Sequence, residues 1–183
     1  MLRETPLDGL KIVETKRFAD DRGFFTELYR KDPEDKRDWV QDNFSRSKRW
    51  VLRGMHFQVS PSEQAKLVRC VRGKIYDVAV DVRPKSETFG RWFGIELDQD
   101  NGLALLVPEG FAHGFLALSE EVDVLYKTSG YYNPEAERGL RWNDPTVNID
   151  WDRYLCGKSP LLHERDATFK KIGDLENELR STW

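Results

Sequence analysis

Three histidines and two cysteines in 183 residues leave little room for chemistry that needs many of either. His56 lies in Trp50-Val-Leu-Arg-Gly-Met-His-Phe-Gln58, a strand-like run that also carries Arg53 and Gln58. An imidazole is the side chain best suited to moving protons near neutral pH. Successive side chains of a strand point to opposite faces, so Arg53 and His56 would face apart. Gly54 between them suits a bulge, which changes the parity and turns both inward. The plainer alternative for this segment is a buried histidine with a satisfied hydrogen bond.

His113 stands in Val107-Pro-Glu-Gly-Phe-Ala-His-Gly114-Phe115, between glycines that signal tight backbone. Gly102, five residues, Pro108, one residue, Gly110, two residues and His113 together resemble the second motif of the cupin superfamily, whose double-stranded barrels are jelly rolls. The final Asn of that motif falls on Ala117. Cupins often hold a metal with an His-x-His pair, a Glu and the later His. Here the pair reads His56-Phe57-Gln58, and Glu63 sits in the loop-like Pro61-Ser-Glu-Gln. Two imidazoles and an amide make a poor transition-metal set, so no metal is expected. His113 reads as an inward polar residue facing an organic ligand.

The elements that would position these groups are short strands. Lys66–Arg72, Gly73 and Lys74–Arg83 are the best of them, with Tyr76, Val78, Val80 and Val82 on one face and Asp77, Ala79 and Asp81 on the other. Further strands are expected at Trp50–Phe57, Trp92–Leu97, Ala104–Val107, Phe115–Leu118 and Val122–Tyr126. Turn signals such as Pro108-Glu-Gly110 separate them, and no alternating helices intervene. The pattern is all-β, a sandwich or barrel. Helix is expected only at the margins. One short capped helix follows Asp32-Pro33 through Trp39, and an amphipathic one from Asp166 carries Phe169, Ile172, Leu175 and Leu179, interrupted by Gly173.

Length and composition fit one domain, residues 1–183, with a core of about 9–166 and a helical tail of 166–183. Six Trp, six Tyr and ten Phe supply a real core. With 29 basic and 32 acidic residues the net charge is −3, which argues against a nucleic-acid partner. The longest apolar run, Leu103–Val107, is far too short to span a membrane, and the first residues lack a signal-peptide pattern. A cytoplasmic protein without membrane contact is expected. Cys70 and Cys156 read as idle thiols, a disulfide between them being the other option.

Further motifs then fall in order: Asp21-Arg22-Gly23-Phe24-Phe25-x-Glu27, Gln41-Asp42-Asn43-x-Ser45, Leu52–Gln58, Gln64–Val68, Asp77-Val-Ala-Val-Asp81-Val-Arg83, Pro108–Phe115, Tyr126-Lys127, Tyr132-Asn-Pro134 and Trp142-Asn-Asp144-Pro145. From residue 9 to about 166 the chain resembles the dTDP-4-dehydrorhamnose 3,5-epimerase family of sugar-nucleotide epimerases. The resemblance implies a cupin-type double-stranded jelly-roll barrel with short peripheral and C-terminal helices. It implies a substrate, dTDP-4-dehydro-6-deoxy-D-glucose, whose ketone acidifies C3 and C5, so that no cofactor is expected.

By the same resemblance His56 is the base, Asp166 its carboxylate partner, Tyr126 the proton donor, and Lys66 with His113 the groups that steady the enolate oxygen. Arg22 and Arg53 would take the diphosphate. Phe25, Glu27, Gln41, Asp42, Asn43, Glu137 and Arg165 match substrate-contact positions, and Tyr132 the aromatic that stacks on thymine. Arg22 also suits a turn ion pair with its preceding aspartates, Tyr131 rivals Tyr132, and Asp144 reads as a turn residue. The family pattern Leu-Ser-x-Lys-Asp becomes Leu162-His-Glu-Arg-Asp166 here, which leaves a His163–Asp166 salt bridge as a rival use of that carboxylate. Family members are homodimers that exchange an N-terminal strand, here Leu10–Glu14 or its neighbourhood, which brings Arg22 toward the partner. A mono-epimerase of a related deoxysugar and a non-catalytic binding cupin remain as alternatives.

Overall fold

The computed structural model describes residues 1–33 and 35–182. Two antiparallel sheets stack on each other. The first runs, in spatial order, Leu2–Glu4 (β1), Lys11–Glu14 (β2), Leu103–Val107 (β10), Lys66–Arg72 (β7), Glu121–Thr128 (β12) and Gln41–Lys48 (β5). The second runs Glu137–Gly139 (β13), Leu52–Gln58 (β6), Phe111–Ala117 (β11), Lys74–Asp81 (β8) and Trp92–Asp98 (β9). A hairpin, Arg17–Asp20 (β3) and Gly23–Thr26 (β4), stands apart from both. Among the described residues helix is confined to Asp152–Leu155 (α1), Glu164–Ala167 (α2) and Ile172–Thr182 (α3). This is the all-β architecture that the strand pattern calls for, in the jelly-roll form that the resemblance implies.

The alternation of β8 explains how two layers form on one sheet. Ile75 and Ala79 pack between the sheets with Val68, Leu105, Phe111, Phe115 and Val124. Tyr76, Val78, Val80 and Val82 pack outward, where Trp151, Leu155, Ile172, Leu175 and Leu179 of the C-terminal segment cover them. Both faces of β8 and β11 are therefore buried, and both strands are apolar almost throughout. Asp144 helps dock the tail: its buried carboxylate accepts the N–H of Ile172, the first residue of α3, at 2.7 Å, and those of Thr146 and Val147. The turn role expected for Asp144 is what its contacts describe.

Several expectations need correction. Residues 35–40 are not helical; Asp35 instead accepts from the backbone N–H and guanidinium of Arg37 and from the Trp39 indole, local bonds that compete with a helix. Glu34 of that segment lies outside the described residues. In the tail, Asp166 belongs to α2, Phe169 lies between helices, and α3 runs uninterrupted through Gly173. The strand expected at 115–118 begins at Phe111, which puts His113 on β11. Both cysteines are free. In the first sheet β2 pairs with β1 on one side and β10 on the other, which leaves β1 as the sheet edge in the neighbourhood of Leu10–Glu14.

Candidate active site

A cleft of about 780 Å³ opens between β5, β7 and β12 on one side and β6, β11 and β13 on the other, closed at one end by α2. Its first feature is set by Gly54. In the β6–β11 ladder His113 sits opposite His56 and Phe115 opposite Arg53, so two steps on β11 answer three on β6. That bulge puts Leu52, Met55 and Phe57 into the outer core, while Arg53, His56 and Gln58 line the cleft. Gly54 has φ of +143°, and a Cβ there would lie 2.6 Å from the Gly114 Cα. Only glycines allow this crossing of two strands.

The displaced backbone also holds the dyad. His56 Nε2 bonds Asp166 Oδ1 at 2.9 Å, and the Gly54 N–H donates to Asp166 Oδ2 at 3.2 Å. Asp166 is only 3% exposed. Burial alone would raise its carboxyl, but the bonds from His56 and Gly54 and the nearby Arg165 bring it below the ordinary range. Asp166 is therefore ionised, and the tautomer that suits it carries the imidazole proton on Nε2, leaving Nδ1 as the basic nitrogen. The Phe169 ring stands edge-on to His56 at 5.5 Å, in space that a side chain at Gly139 would occupy. His163 takes no part in the pair: its Nδ1 accepts the Arg165 N–H at 3.2 Å and caps α2, the helix that carries Asp166.

Cations and a phenol complete the arrangement. Lys66, on β7, donates from Nζ to the His56 carbonyl at 3.2 Å. Burial pushes its ammonium down to about 8, against the pull of Glu137 and Asp77. Tyr126, on β12, lines the same cleft, and burial raises its phenol further than the Arg53 charge lowers it. It therefore keeps its proton near neutral pH. His113 is 8% exposed and bonds the fully buried Asp77 at 2.8 Å. Arg53 donates to Ser47 Oγ at 2.8 Å. Arg165 pairs with Glu137 at 2.5 Å and comes within 3.5 Å of His56 Nε2, and Tyr132 donates its hydroxyl to Glu137 at 3.0 Å.

Of the residues singled out from sequence, His56, Lys66, Tyr126, Asp166, Arg53, His113, Gln41, Asn43, Tyr132, Glu137 and Arg165 converge here. Tyr132 rather than Tyr131 lines the cleft. Asp42 does not, because Gln41 and Asn43 face inward on β5 and the residue between them must face out. It pairs there with Lys127 at 2.7 Å. Arg22, Phe25 and Glu27 also lie elsewhere. Arg22 is 90% exposed and pairs with Asp20, Glu27 pairs with Arg30, and Phe25 packs on Phe18 across the hairpin. Sequence reasoning missed Asp77 as the partner of His113, though an aspartate sharing a face with Ala79 in an apolar strand marks it. It also missed the Gly54 amide and Phe169. Among the described residues no three His, Cys, Asp or Glu side chains converge as a ligand set, and no helix is long and apolar enough to cross a membrane.

An imidazole backed by a buried carboxylate, a protonated phenol and an ammonium around one cleft can remove a proton, return one, and hold an oxyanion between. A family model of dTDP-4-dehydrorhamnose 3,5-epimerase matches residues 4–174. The dTDP-4-dehydrorhamnose 3,5-epimerase of Salmonella typhimurium is 47% identical over 169 residues, covering 90% of this chain and 91% of that protein. The structure of the dTDP-6-deoxy-D-glucose-3,5-epimerase of Legionella pneumophila, in complex with dTDP-4-keto-L-rhamnose, superposes with a TM-score of 0.91 at 41% identity, covering 98% of this chain and 96% of its own. A 3'-monoepimerase from Streptomyces bikiniensis, in complex with dTDP-quinovose, superposes at 0.88 with 32% identity, covering 96% and 90%. Fold and matched length agree, and the chain belongs to the dTDP-4-dehydrorhamnose 3,5-epimerase family.

Proposed function

We propose that the chain inverts C3 and C5 of dTDP-4-dehydro-6-deoxy-D-glucose, giving dTDP-4-dehydro-L-rhamnose. The observation that carries this reading is the convergence of the His56–Asp166 pair, Lys66 and Tyr126 on one cleft. The 4-ketone withdraws electrons from both neighbouring carbons, so side chains of ordinary strength can move their protons. His56 Nδ1 takes the proton, and Asp166 stabilises the imidazolium that results. Negative charge then collects on the C4 oxygen, where Lys66, with His113 beside it, supplies the compensating donors. Tyr126 returns a proton to the opposite face, which inverts the carbon; water then takes the proton from His56 and restores one to Tyr126, and the cycle repeats at the second carbon. General acid–base steps of this kind are each worth about 10²–10⁴-fold.

The remaining cleft residues bind the nucleotide. The Arg53 guanidinium suits the diphosphate. Tyr132 offers a ring for thymine, while Gln41, Asn43, Glu137 and Arg165 line the path between. Arg22, Phe25 and Glu27 find a use only if they reach a second cleft, and we read them as contributions from the β3–β4 hairpin to the other subunit of a homodimer. Mixing His56→Ala with Arg22→Ala protein would then restore part of the activity by forming one intact site, and failure to restore any would remove that reading.

The decisive experiment is incubation with the substrate in D₂O. Deuterium at both C3 and C5 is the expected outcome, and no exchange at either carbon refutes the reading. Likeness to a 3'-monoepimerase favours a second reading, inversion at one carbon of a related 4-keto sugar. Exchange confined to one carbon would select it.

A further inference from the structure

Among the described residues two buried side-chain oxygens lack a hydrogen-bond partner, Ser45 Oγ and Asp77 Oδ2. A buried hydroxyl left unpaired costs free energy, so such an atom in a native protein calls for an occupant. Ser45 lines the cleft, on the inward face of β5. That face is a polar ladder of Gln41, Asn43, Ser45 and Ser47. Three of its members are engaged: Gln41 donates to Asn43 at 2.8 Å, and Ser47 accepts from Arg53 at 2.8 Å. Ser45 alone is free, one strand repeat of roughly 7 Å from each pair.

Its neighbours define what it meets. Toward Asn43 the ladder faces Tyr126, which is Asn43's partner on β12. Toward Ser47 it faces Arg53. On the function proposed above, Tyr126 serves the sugar ring and Arg53 the diphosphate. We propose that Ser45 is a substrate-binding residue whose hydroxyl hydrogen-bonds the substrate where the sugar joins the diphosphate. A hydroxyl suits that junction because it accepts or donates as needed and adds no charge beside the reacting carbons.

The same geometry separates this role from a structural one. Ser45 Oγ has no internal bond to lose, so Ser45→Ala should fold with an unchanged or slightly higher Tm. Its KM for the substrate should rise about tenfold, and its affinity for dTDP-glucose, measured by calorimetry, should fall by a similar factor. A lowered Tm with unchanged KM and affinity would make the hydroxyl structural and overturn the proposal, as would an Ala variant indistinguishable from the parent. The parent is measured beside it: if it neither binds dTDP-glucose nor turns over the 4-keto sugar, the function fails rather than the serine. Ser45→Cys, which keeps size and loses hydrogen-bond strength, should follow Ala in KM.

Discussion

Replacing Asp166 by Asn tests the dyad without changing its shape. An aspartate accepts at both oxygens, from His56 and from the Gly54 N–H. An asparagine has one acceptor and one donor, and the Gly54 N–H cannot turn away, because the bulge fixes it. The amide oxygen of the new side chain is therefore held by Gly54, and its NH₂ group faces His56 Nε2. That nitrogen must now accept, which moves the imidazole proton to Nδ1, the atom meant to receive a proton from the substrate. The reverse orientation sets two N–H donors against each other and leaves a buried amide unsatisfied, at about 1–3 kcal/mol. The imidazolium also loses a charge-assisted bond worth about 1.5–3 kcal/mol. Together these raise the barrier by about 2.5–6 kcal/mol, or roughly 10²–10⁴ in kcat. Deuterium wash-in at C3 and C5, followed by NMR, reads the proton-removal step directly, and dTDP-glucose affinity should stay within about threefold of the parent. Exchange within tenfold of the parent rate would refute the reasoning that Gly54 dictates the tautomer.

Three other outcomes follow from the geometry. Tyr126→Phe should still exchange deuterium at the carbon His56 reaches, with configuration retained, while inversion falls about 10²–10⁴-fold as product chromatography would record. Lys66 is charged below its value of about 8 and loses its proton as pH rises through it, so kcat should decline on the alkaline side from about pH 8. Lys66→Met should abolish that limb and lower the plateau by about 10²–10³. Asp42→Asn, on the outer face with Lys127, should change kcat and KM by less than about twofold in steady-state assays, despite its place between two cleft residues.

The parts of the fold legible in sequence were those where hydrophobic alternation is strong. Residues 74–83 revealed both the strand and its two faces, and the parity conflict between Arg53 and His56 located the bulge at Gly54. β5 was invisible because Gln41-Asp-Asn-Phe-Ser-Arg-Ser-Lys48 has almost no apolar residue. An edge strand facing a polar cleft has no core to mark it. Once β5 is known, the strict twofold repeat of a strand shows that Gln41, Asp42 and Asn43 cannot all face the cleft. The helix expected after Asp32 failed for a local reason, since Asp35 satisfies the Arg37 and Trp39 donors itself. Asp166 was reached only through resemblance. Its link to His56 spans 110 residues, and no periodicity reports such a contact.

That span divides the base between two layers that can vary independently. His56 belongs to the barrel strand that also shapes the substrate wall, whereas Asp166, Arg165 and the capping His163 belong to a segment laid over the outside. Changes in the outer segment alter the charge felt by the imidazole without moving Lys66, Tyr126 or Arg53. The chain's own departures from the family pattern, His163 and Arg165, both fall there. The hold on the imidazole is thus a property that mutation at Asp166 or His163 can adjust without touching the barrel strands, while Arg165, which also lines the cleft, couples that hold to the sugar nucleotide.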